Sequence, residues 1–375
     1  PEERARLARV TDLFAFRSND YYLSLIDWDD PKDPIRRLII PTLEELEPWG
    51  RLDPSSEHLY TRAPGLQHKY RETALLLVSD LCGGLCRYCF RKRLFIDDAR
   101  EVNRDISGGL AYIREHPEIT NVLLTGGDPL ILDTARLREI LARLRGIEHV
   151  RIIRIGTKMP AYNPYRIIND PGLLDAVREY SLGEKSIYIM VQFNHPRELT
   201  EAACRAVALL QDAGAVIMNQ TPLIRGINDD PAVLSRLLGR LSFIGVNPYY
   251  VFQCRPTTGN RPFAVPVEES YRIFERARAT CSGLSKQARF VMSHATGKIE
   301  VVGMTDEYTF FKYNQAADPD DIGRFMVYRG NPEAYWFDDY TDLVDEGRIW
   351  KSGRVDGDPG GRGVQVKTEE SPVVL

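Results

Sequence analysis

The sequence predicts an α/β protein centred on six βα units, which form either a full or a partial barrel. Three observations predict it: six short apolar runs, an amphipathic helical window after each run, and a polar or glycine-rich motif after each run. Crossovers long enough for a helix indicate parallel strands, and nearly continuous apolar runs indicate a sheet covered by helices. The predicted strands are 74–79, 121–126, 150–156, 186–193, 215–220 and 247–254, and the predicted helices are 106–116, 133–145, 171–181, 198–213, 231–243 and 267–280.

The regions on either side of this repeat have a different character. Residues 1–66 are rich in proline and charge, which predicts a helical N-terminal cap, and the barrel is expected over 67–285. Residues 286–350 contain two strand-like pieces around Lys298 and then an aromatic-rich stretch, which we expect to pack on the barrel or on another subunit. The last residues, 351–375, are polar and glycine-rich, and we expect a flexible tail there.

The composition excludes several classes of protein. With 375 residues, 43% of them hydrophobic, the chain can bury a large core, and its 49 basic and 53 acidic residues are nearly balanced. We therefore expect no nucleic-acid partner, and no apolar run is long enough to cross a membrane or to serve as a signal core at the first residues. Six cysteines are too few for a disulfide scaffold in a chain of this length, which predicts a reducing, cytoplasmic location.

Three cysteines stand together directly after the first predicted strand. Cys82, Cys86 and Cys89 form a C-x3-C-x2-C loop. Structural zinc normally has four Cys or His ligands, often as two pairs, and the chain contains no second C-x2-C pair. Three thiolates instead suit an iron-sulfur cluster that keeps one iron open. The alternatives are three unrelated buried cysteines or an incomplete zinc site.

The motifs together resemble the lysine 2,3-aminomutase family of the radical S-adenosylmethionine (SAM) superfamily. They are PGLQHKY, LCGGLCRYCFRKR, LLTGGDPL, QFNHP, NQTPLIRGIND and PYYVFQC, in order between about 64 and 298. The resemblance implies a partial (β/α)6 TIM-like radical SAM barrel and an isomerase that moves an amino group between adjacent carbons. It also implies that Cys82, Cys86 and Cys89 hold a 4Fe-4S cluster, whose fourth iron binds SAM, and that pyridoxal 5′-phosphate (PLP) carries the amine.

The resemblance assigns further residues to SAM. Tyr88 matches the aromatic residue against the adenine, and Gly126, Gly127 and Asp128 match the turn that approaches the methionine moiety. His195 and Gln220 match positions that help to seat SAM. Asp128 has an alternative role as the cap of the next helix, and His195 as an ordinary loop histidine.

PLP requires a lysine to hold it. In the family that lysine ends a run of glycines, which is shortened here to SHATGK, and the resemblance points to Lys298. An exposed turn lysine is the alternative. Tyr70 matches a residue near PLP.

The predicted substrate pocket departs from the lysine-specific members. Arg91 matches the arginine that binds the substrate α-carboxylate. Two aspartates hold the substrate ammonium in those members, and Arg255 and Ser293 stand at their positions. A guanidinium would repel an ammonium group, so we expect an acidic amino acid, with glutamate first. The alternative is that Arg255 pairs with a nearby acid of the protein.

The implied reaction begins when the reduced cluster cleaves SAM to a 5′-deoxyadenosyl radical, which removes hydrogen from the substrate β-carbon. The α-amino group then migrates to that carbon. A reductant such as flavodoxin or ferredoxin and a homo-oligomeric state are expected. The alternatives are a lysine 2,3-aminomutase, including one that modifies a protein-bound partner; a PLP-dependent radical enzyme that catalyses deamination, decarboxylation or another rearrangement; a non-catalytic barrel with a structural metal; and a radical SAM enzyme that modifies nucleic acid.

Overall fold

The structure is a computed structural model that describes residues 2–96 and 101–348. The predicted flexible tail, 351–375, lies outside these residues. Thirteen strands form one sheet in which each strand pairs with its neighbours in chain order. Within the described ranges, no helix combines the length and apolar composition that crossing a bilayer requires.

The elements alternate regularly through the middle of the chain. The strands are β1 (Thr61–Ala63), β2 (Leu66–Tyr70), β3 (Thr73–Ser79), β4 (Asn121–Gly126), β5 (Ile152–Thr157), β6 (Ile187–Val191), β7 (Val216–Pro222), β8 (Asn247–Phe252), β9 (Arg289–Ser293), β10 (Gly297–Met304), β11 (Tyr308–Ala316), β12 (Phe325–Arg329) and β13 (Leu343–Gly347). The α-helices are α1 (Glu2–Leu13), α2 (Asp20–Leu23), α3 (Pro34–Ile39), α4 (Ser107–Glu115), α5 (Thr134–Arg145), α6 (Met159–Tyr162), α7 (Tyr165–Ile168), α8 (Pro171–Tyr180), α9 (Glu201–Asp212), α10 (Pro231–Phe243) and α11 (Val267–Ala279).

Seven strands, β3 to β9, are parallel, and they include all six that the sequence predicts. The seventh is β9, which follows α11 in the chain and pairs with β8, so that Tyr250 lies opposite Arg289. Among the described strands β3 does not pair with β9, and the barrel is therefore partial. The α/β fold class predicted from the sequence is confirmed.

Local sequence explains why the long helices begin where they do. Asp133, Asp170, Thr200 and Asp230 stand at the N-caps of α5, α8, α9 and α10, and each side chain accepts a hydrogen bond from a backbone N–H of the first turn. This satisfies donors that have no partner within the helix. The apolar faces of α5, α8 and α9 and of strands β3 to β7 form one buried cluster, and α10 packs partly on this cluster and partly on a second one that includes β8 and β9. The core therefore lies between the sheet and its outer helices, and the strand ends remain free for a site.

The N-terminal region contains the helices α1 to α3 and two 3-10 turns, and an antiparallel hairpin follows them. The boundary predicted after residue 66 falls inside β2, which pairs with β1 and with β3. The region is fixed to the cysteine loop by a buried ion pair: Arg87 Nη2 lies 2.8 Å from Glu45 Oε2, and both side chains are almost fully buried. Leaving either charge without its partner would be strongly destabilising. The cap and the cysteine loop therefore form one packed unit.

The region that follows β9 extends the sheet with antiparallel strands β10 to β13. Its aromatic residues pack on one another within the chain; the ring centroids of Phe311 and Tyr340, for example, are 4.8 Å apart. Of the two expectations for this region, packing within the chain is what the structure shows. Packing against a second subunit stays a prediction.

Candidate active site

A cavity of about 320 Å³ opens where the parallel strands end. Chemistry in barrels of this type gathers at the same end. All the residues that the sequence assigned to a site line this cavity except His195. They are Tyr70, Cys82, Cys86, Tyr88, Cys89, Arg91, Gly126, Gly127, Asp128, Gln220, Arg255, Ser293 and Lys298.

The three clustered cysteines are free thiols on one wall of the cavity. Burial raises the pKa of Cys82, and it raises the pKa of Cys89 to about 11; the neighbouring cysteine thiols add to both effects. In the described part of the chain, no three His, Cys, Asp or Glu side chains are grouped to hold a single metal ion. Three thiols with no fourth protein ligand fit an iron-sulfur cluster with an open iron better than they fit zinc.

A fourth cysteine, Cys254, also lines the cavity but does not belong to this group. The charged neighbours that influence its thiol are Lys92 and Arg255, not the three clustered cysteines. Burial raises the pKa of Cys254 to about 12. Cys254 is therefore a buried core thiol beside the site.

Tyr88, which the family resemblance assigns to the adenine of SAM, is bonded to side chains that directly follow β6. Its hydroxyl accepts hydrogen bonds from Gln192 Nε2, at 2.8 Å, and from the Asn194 side-chain amide. The ring is 6% exposed and lines the cavity. Sequence reasoning missed Gln192 and Asn194, although both lie in the QFNHP motif.

The paired glycines after β4 pack against the backbone that enters the cysteine loop. Gly126 has φ +115°, and a Cβ atom there would lie 2.4 Å from the carbonyl oxygen of Ser79. A Cβ atom at Gly127 would lie 2.2 Å from the carbonyl oxygen of Leu81. A side chain at either position would push the turn away from the loop. The glycines are thus needed to bring this turn and the cysteine loop together.

Asp128 lines the cavity and also caps the 3-10 turn Pro129–Ile131. Its carboxylate accepts hydrogen bonds from Thr157 Oγ1 at 2.7 Å, from Lys158 N at 2.7 Å and from Leu130 N at 3.0 Å. Burial raises its pKa. These bonds use most of the lone pairs of the carboxylate. The capping role is therefore present, and a bond to the SAM ammonium stays a prediction.

His195 does not line the cavity. Its Nδ1 atom accepts from the backbone N–H of Arg197 at 3.2 Å, and together with Glu198 it caps the 3-10 turn Pro196–Glu198. Burial lowers its pKa to about 4. This placement matches the loop-histidine alternative. The QFNHP motif locates this loop but does not show which of its side chains point into the cavity. A contact between His195 and SAM stays a prediction.

Lys298 is the second residue of β10 and lines the cavity. Its Nζ atom lies 4.5 Å from the ring centroid of Tyr250 and 5.6 Å from that of Phe252. Burial lowers its pKa to about 7, helped by the nearby positive charges of Arg154, Arg255 and Lys69. A lysine in this setting is a nucleophilic amine near neutral pH. It is therefore unlike the exposed turn lysine of the alternative interpretation.

Ser293 ends β9 directly across from Lys298 in the antiparallel ladder. Facing residues in such a ladder have Cβ atoms about 5 Å apart. The backbone oxygen of Ser293 accepts a hydrogen bond from Ser55 Oγ at 2.7 Å. The short serine side chain leaves space beside the lysine.

A second lysine, Lys69 of β2, shares the cavity with Lys298. Its ammonium group donates to the backbone oxygen of His294 and lies 5.0 Å from the ring centroid of Tyr60. Burial, followed by the charge of Arg255, lowers its pKa to about 7. No sequence pattern singles out Lys69, because the family resemblance in its motif, HKY, points to Tyr70.

The carboxylate of Glu57 forms ion pairs with three arginines at one side of the cavity. Its oxygens lie 3.1 Å from Arg91 Nε, 2.6 Å from Arg93 Nη2 and 3.5 Å from Arg255 Nη1. After the cost of burial, these charges hold the pKa of Glu57 well below its usual value. The alternative in which Arg255 pairs with a nearby acid is therefore present in the structure. Glu57 lies in the N-terminal region and was not predicted.

Arg255 is nevertheless accessible from the cavity. Its guanidinium carbon lies 3.7 Å from the ring centroid of Phe90, and burial lowers its pKa to about 10. The lining includes more positive than negative side chains. The cationic ones are Lys69, Arg91, Arg154, Lys158, Arg255 and Lys298, and among the described residues the acidic ones are Glu57 and Asp128.

Comparisons with known proteins agree with the geometry. Residues 76–237 match the radical SAM superfamily. A protein of Aquifex aeolicus, provisionally named L-lysine 2,3-aminomutase, is 59% identical over 94% of this chain and 94% of its own length. The L-lysine 2,3-aminomutase of Clostridium subterminale is 39% identical over 75% of this chain and 67% of its own length. The glutamate 2,3-aminomutase of Clostridioides difficile is 35% identical over 76% of this chain and 66% of its own length.

Proposed function

This chain belongs to the lysine 2,3-aminomutase family of the radical SAM superfamily, and we propose that it is a PLP-dependent 2,3-aminomutase whose substrate is an acidic amino acid, with glutamate first. Membership makes it an isomerase that uses a 4Fe-4S cluster and SAM. The acidic substrate and the use of PLP are the parts that we add.

The observation that carries the proposal is the position of Arg255. By the family resemblance it takes the position of a substrate-binding carboxylate in the lysine-specific members, and it lines the same cavity as Arg91. The two arginines already share one carboxylate, that of Glu57, so the space between them accepts this group. We infer that Arg91 binds the substrate α-carboxylate and that Arg255 binds the distal one.

PLP is supported by the lysine and by the charge around it. Burial lowers the pKa of Lys298 to about 7, which makes the unprotonated amine accessible at neutral pH, and its Nζ atom lies near two aromatic rings in a cavity rich in basic side chains. A phosphorylated, anionic cofactor suits such a lining. When bound, PLP would carry the migrating amine, and SAM on the cluster would supply the radical. The protein groups position these partners and exclude water.

The lysine enzyme remains the second candidate, because one observation favours it. Glu57 lies beside Arg255 and neutralises part of its charge. Glu57 could then bind a substrate ammonium in place of the two aspartates that the family resemblance leads us to expect at the positions of Arg255 and Ser293. Product analysis separates the two candidates.

The decisive experiment compares substrates in one reconstituted sample. Purified protein is loaded anaerobically with iron and sulfide, given PLP, SAM and a reductant, and incubated with glutamate or lysine. We expect mass spectrometry to find a β-amino acid from glutamate. Product from lysine alone would refute the acidic substrate while leaving the aminomutase assignment intact. Deamination or decarboxylation products would refute amino-group migration.

Replacing Arg255 tests whether this arginine meets the substrate. We expect Arg255→Met to lower kcat/KM for glutamate by roughly 30-fold or more, because truncating one partner of a buried charge pair costs about 2 to 5 kcal/mol. Arg93→Met is the matched control, since Arg93 also binds Glu57 but does not line the cavity. An equal loss in both variants would show that Arg255 only orients Glu57.

The partners follow from the same chemistry and stay predictions. A one-electron reductant such as flavodoxin or ferredoxin is needed to reduce the cluster. We also propose a homo-oligomer and a cytoplasmic location, the latter because the free thiols suit a reducing compartment. Light scattering tests the oligomer, and a monomer would contradict it.

A further inference from the structure

One tyrosine outside the predicted site contacts a cluster ligand directly. Tyr162 ends α6, the short helix after β5, and its hydroxyl lies 2.8 Å from Cys86 Sγ. The side chain is 2% exposed. Neither the motif that contains Cys86 nor the one after β5 gave a reason to expect this contact.

The ring of Tyr162 is held firmly in this position. It packs on Gly84, where an added Cβ atom would lie 3.2 Å from the Cζ atom of Tyr162, and it meets the ring of Tyr22 edge-on at a centroid distance of 4.5 Å. Asn19 Nδ2 donates to the backbone oxygens of both Tyr162 and Gly83. The contact with sulfur is therefore part of a packed unit and not a chance approach of a mobile side chain.

The direction of the hydrogen bond is fixed once Cys86 holds iron. A ligating cysteine is a thiolate, which has no proton and only accepts. The proton of the bond must then come from the phenol. A tyrosine phenol is an O–H donor at neutral pH, so Tyr162 can supply this proton.

We propose that Tyr162 tunes the cluster: its hydroxyl donates to Cys86 Sγ and raises the reduction potential of the bound cluster. One-electron reduction adds negative charge to the cluster and its thiolates. A hydrogen bond to sulfur then stabilises the reduced form more than the oxidised form. Tyr162 is a positioning residue in this role, since it acts through a ligand and not on the substrate. The proposal depends on the cluster alone and not on the identity of the amino acid.

A second tyrosine lies near the same sulfur. The hydroxyl of Tyr88 accepts hydrogen bonds from Gln192 and Asn194, and its ring lines the cavity beside the cysteine loop. Removal of the Tyr162 hydroxyl leaves Tyr88 and these partners in place. We expect a measurable shift of the potential and not the loss of the cluster.

The test measures the potential of the cluster without substrate, SAM or PLP. Tyr162→Phe is reconstituted and titrated with reductant while the signal of the reduced cluster is followed by electron paramagnetic resonance. We expect unchanged iron and sulfide per chain and a more negative midpoint potential. Tyr22→Phe is the control, because it removes a buried hydroxyl from the same aromatic group, one that donates to Glu198 at 2.6 Å and not to sulfur.

Two results would overturn the proposal: an unchanged potential in Tyr162→Phe, or an equal shift in Tyr22→Phe. If Tyr162→Phe does not retain its cluster, 3-fluorotyrosine at position 162 replaces it in the test. This more acidic phenol is a stronger donor and keeps the shape of the side chain, so we expect a shift to more positive potential. No shift or a negative shift would refute the hydrogen-bond role. Because no amino acid is present, these outcomes are independent of the substrate assignment.

Discussion

Lys298→Ala is expected to abolish aminomutase turnover and PLP attachment while the iron-sulfur cluster stays in place. The expectation rests on the amine of Lys298, which is not an ion-pair partner of any described acid and has a pKa near 7. The clustered cysteines belong to the loop after β3, whereas Lys298 lies on β10, so the binding of iron should not depend on this lysine. Iron content, bound PLP and product formation measure the three properties separately.

Lys69 supplies a matched control for this experiment. Both lysines line the cavity, and burial lowers the pKa of each to about 7. Attachment of PLP requires the unprotonated amine, so it should increase as the pH rises through about 7 for either lysine, and pH alone does not distinguish them. Borohydride reduction followed by peptide mapping does. We expect the label on Lys298 in wild type and in Lys69→Ala. A label on Lys69, or an active Lys298→Ala protein that contains PLP, would contradict the assignment.

Cys86→Ala is expected to lose the cluster, and with it all SAM cleavage. Only two of the three clustered thiols would remain, too few to hold a cluster through three protein ligands. Iron and sulfide analysis after reconstitution, together with the yield of deoxyadenosine, measures the loss.

Cys254→Ala is the corresponding control. It removes a buried thiol from the same cavity, but one that is not grouped with the other three. We expect this variant to retain its iron. Iron loss in both variants would show that the three-cysteine assignment is incomplete, and retention of the cluster in Cys86→Ala would refute it. Thermal melting of the apo proteins shows whether either change simply prevents folding.

The sequence predicted the repeating part of the fold well because local patterns determine it. Each predicted strand and helix of the barrel is a long apolar or amphipathic run that ends at a capping or turn residue, and all of them are present. The assignment of β9 to the parallel sheet was missed. Its run, Arg289–Ser293, is short and follows a 3-10 turn, and only the position of α11 on the sheet makes it parallel to β8.

The site was predictable where motifs directly follow strands, and not elsewhere. The cysteines, Arg91 and Lys298 come from such motifs, and the fold brings them to one cavity. Glu57 and Tyr162 could not be predicted in this way. Glu57 lies in a 3-10 turn before the barrel. Its partners, Arg91 and Arg255, are far from it in sequence and come close to it only when the chain folds. The contact between Tyr162 and Cys86 likewise depends on how α6 packs on the cysteine loop.

The chain-order arrangement of the thirteen strands has a consequence for how the protein is made. Every strand after β1 pairs with the strand synthesised just before it. Each new pairing therefore closes a loop of only one inter-strand connection, and the sheet can grow during translation. The loop of Cys82, Cys86 and Cys89 follows β3, near the start of this growth, whereas Lys298 lies on β10, after all seven parallel strands. The cysteine loop is therefore synthesised long before Lys298, and the cluster-binding part of the site leaves the ribosome before the part that we assign to PLP.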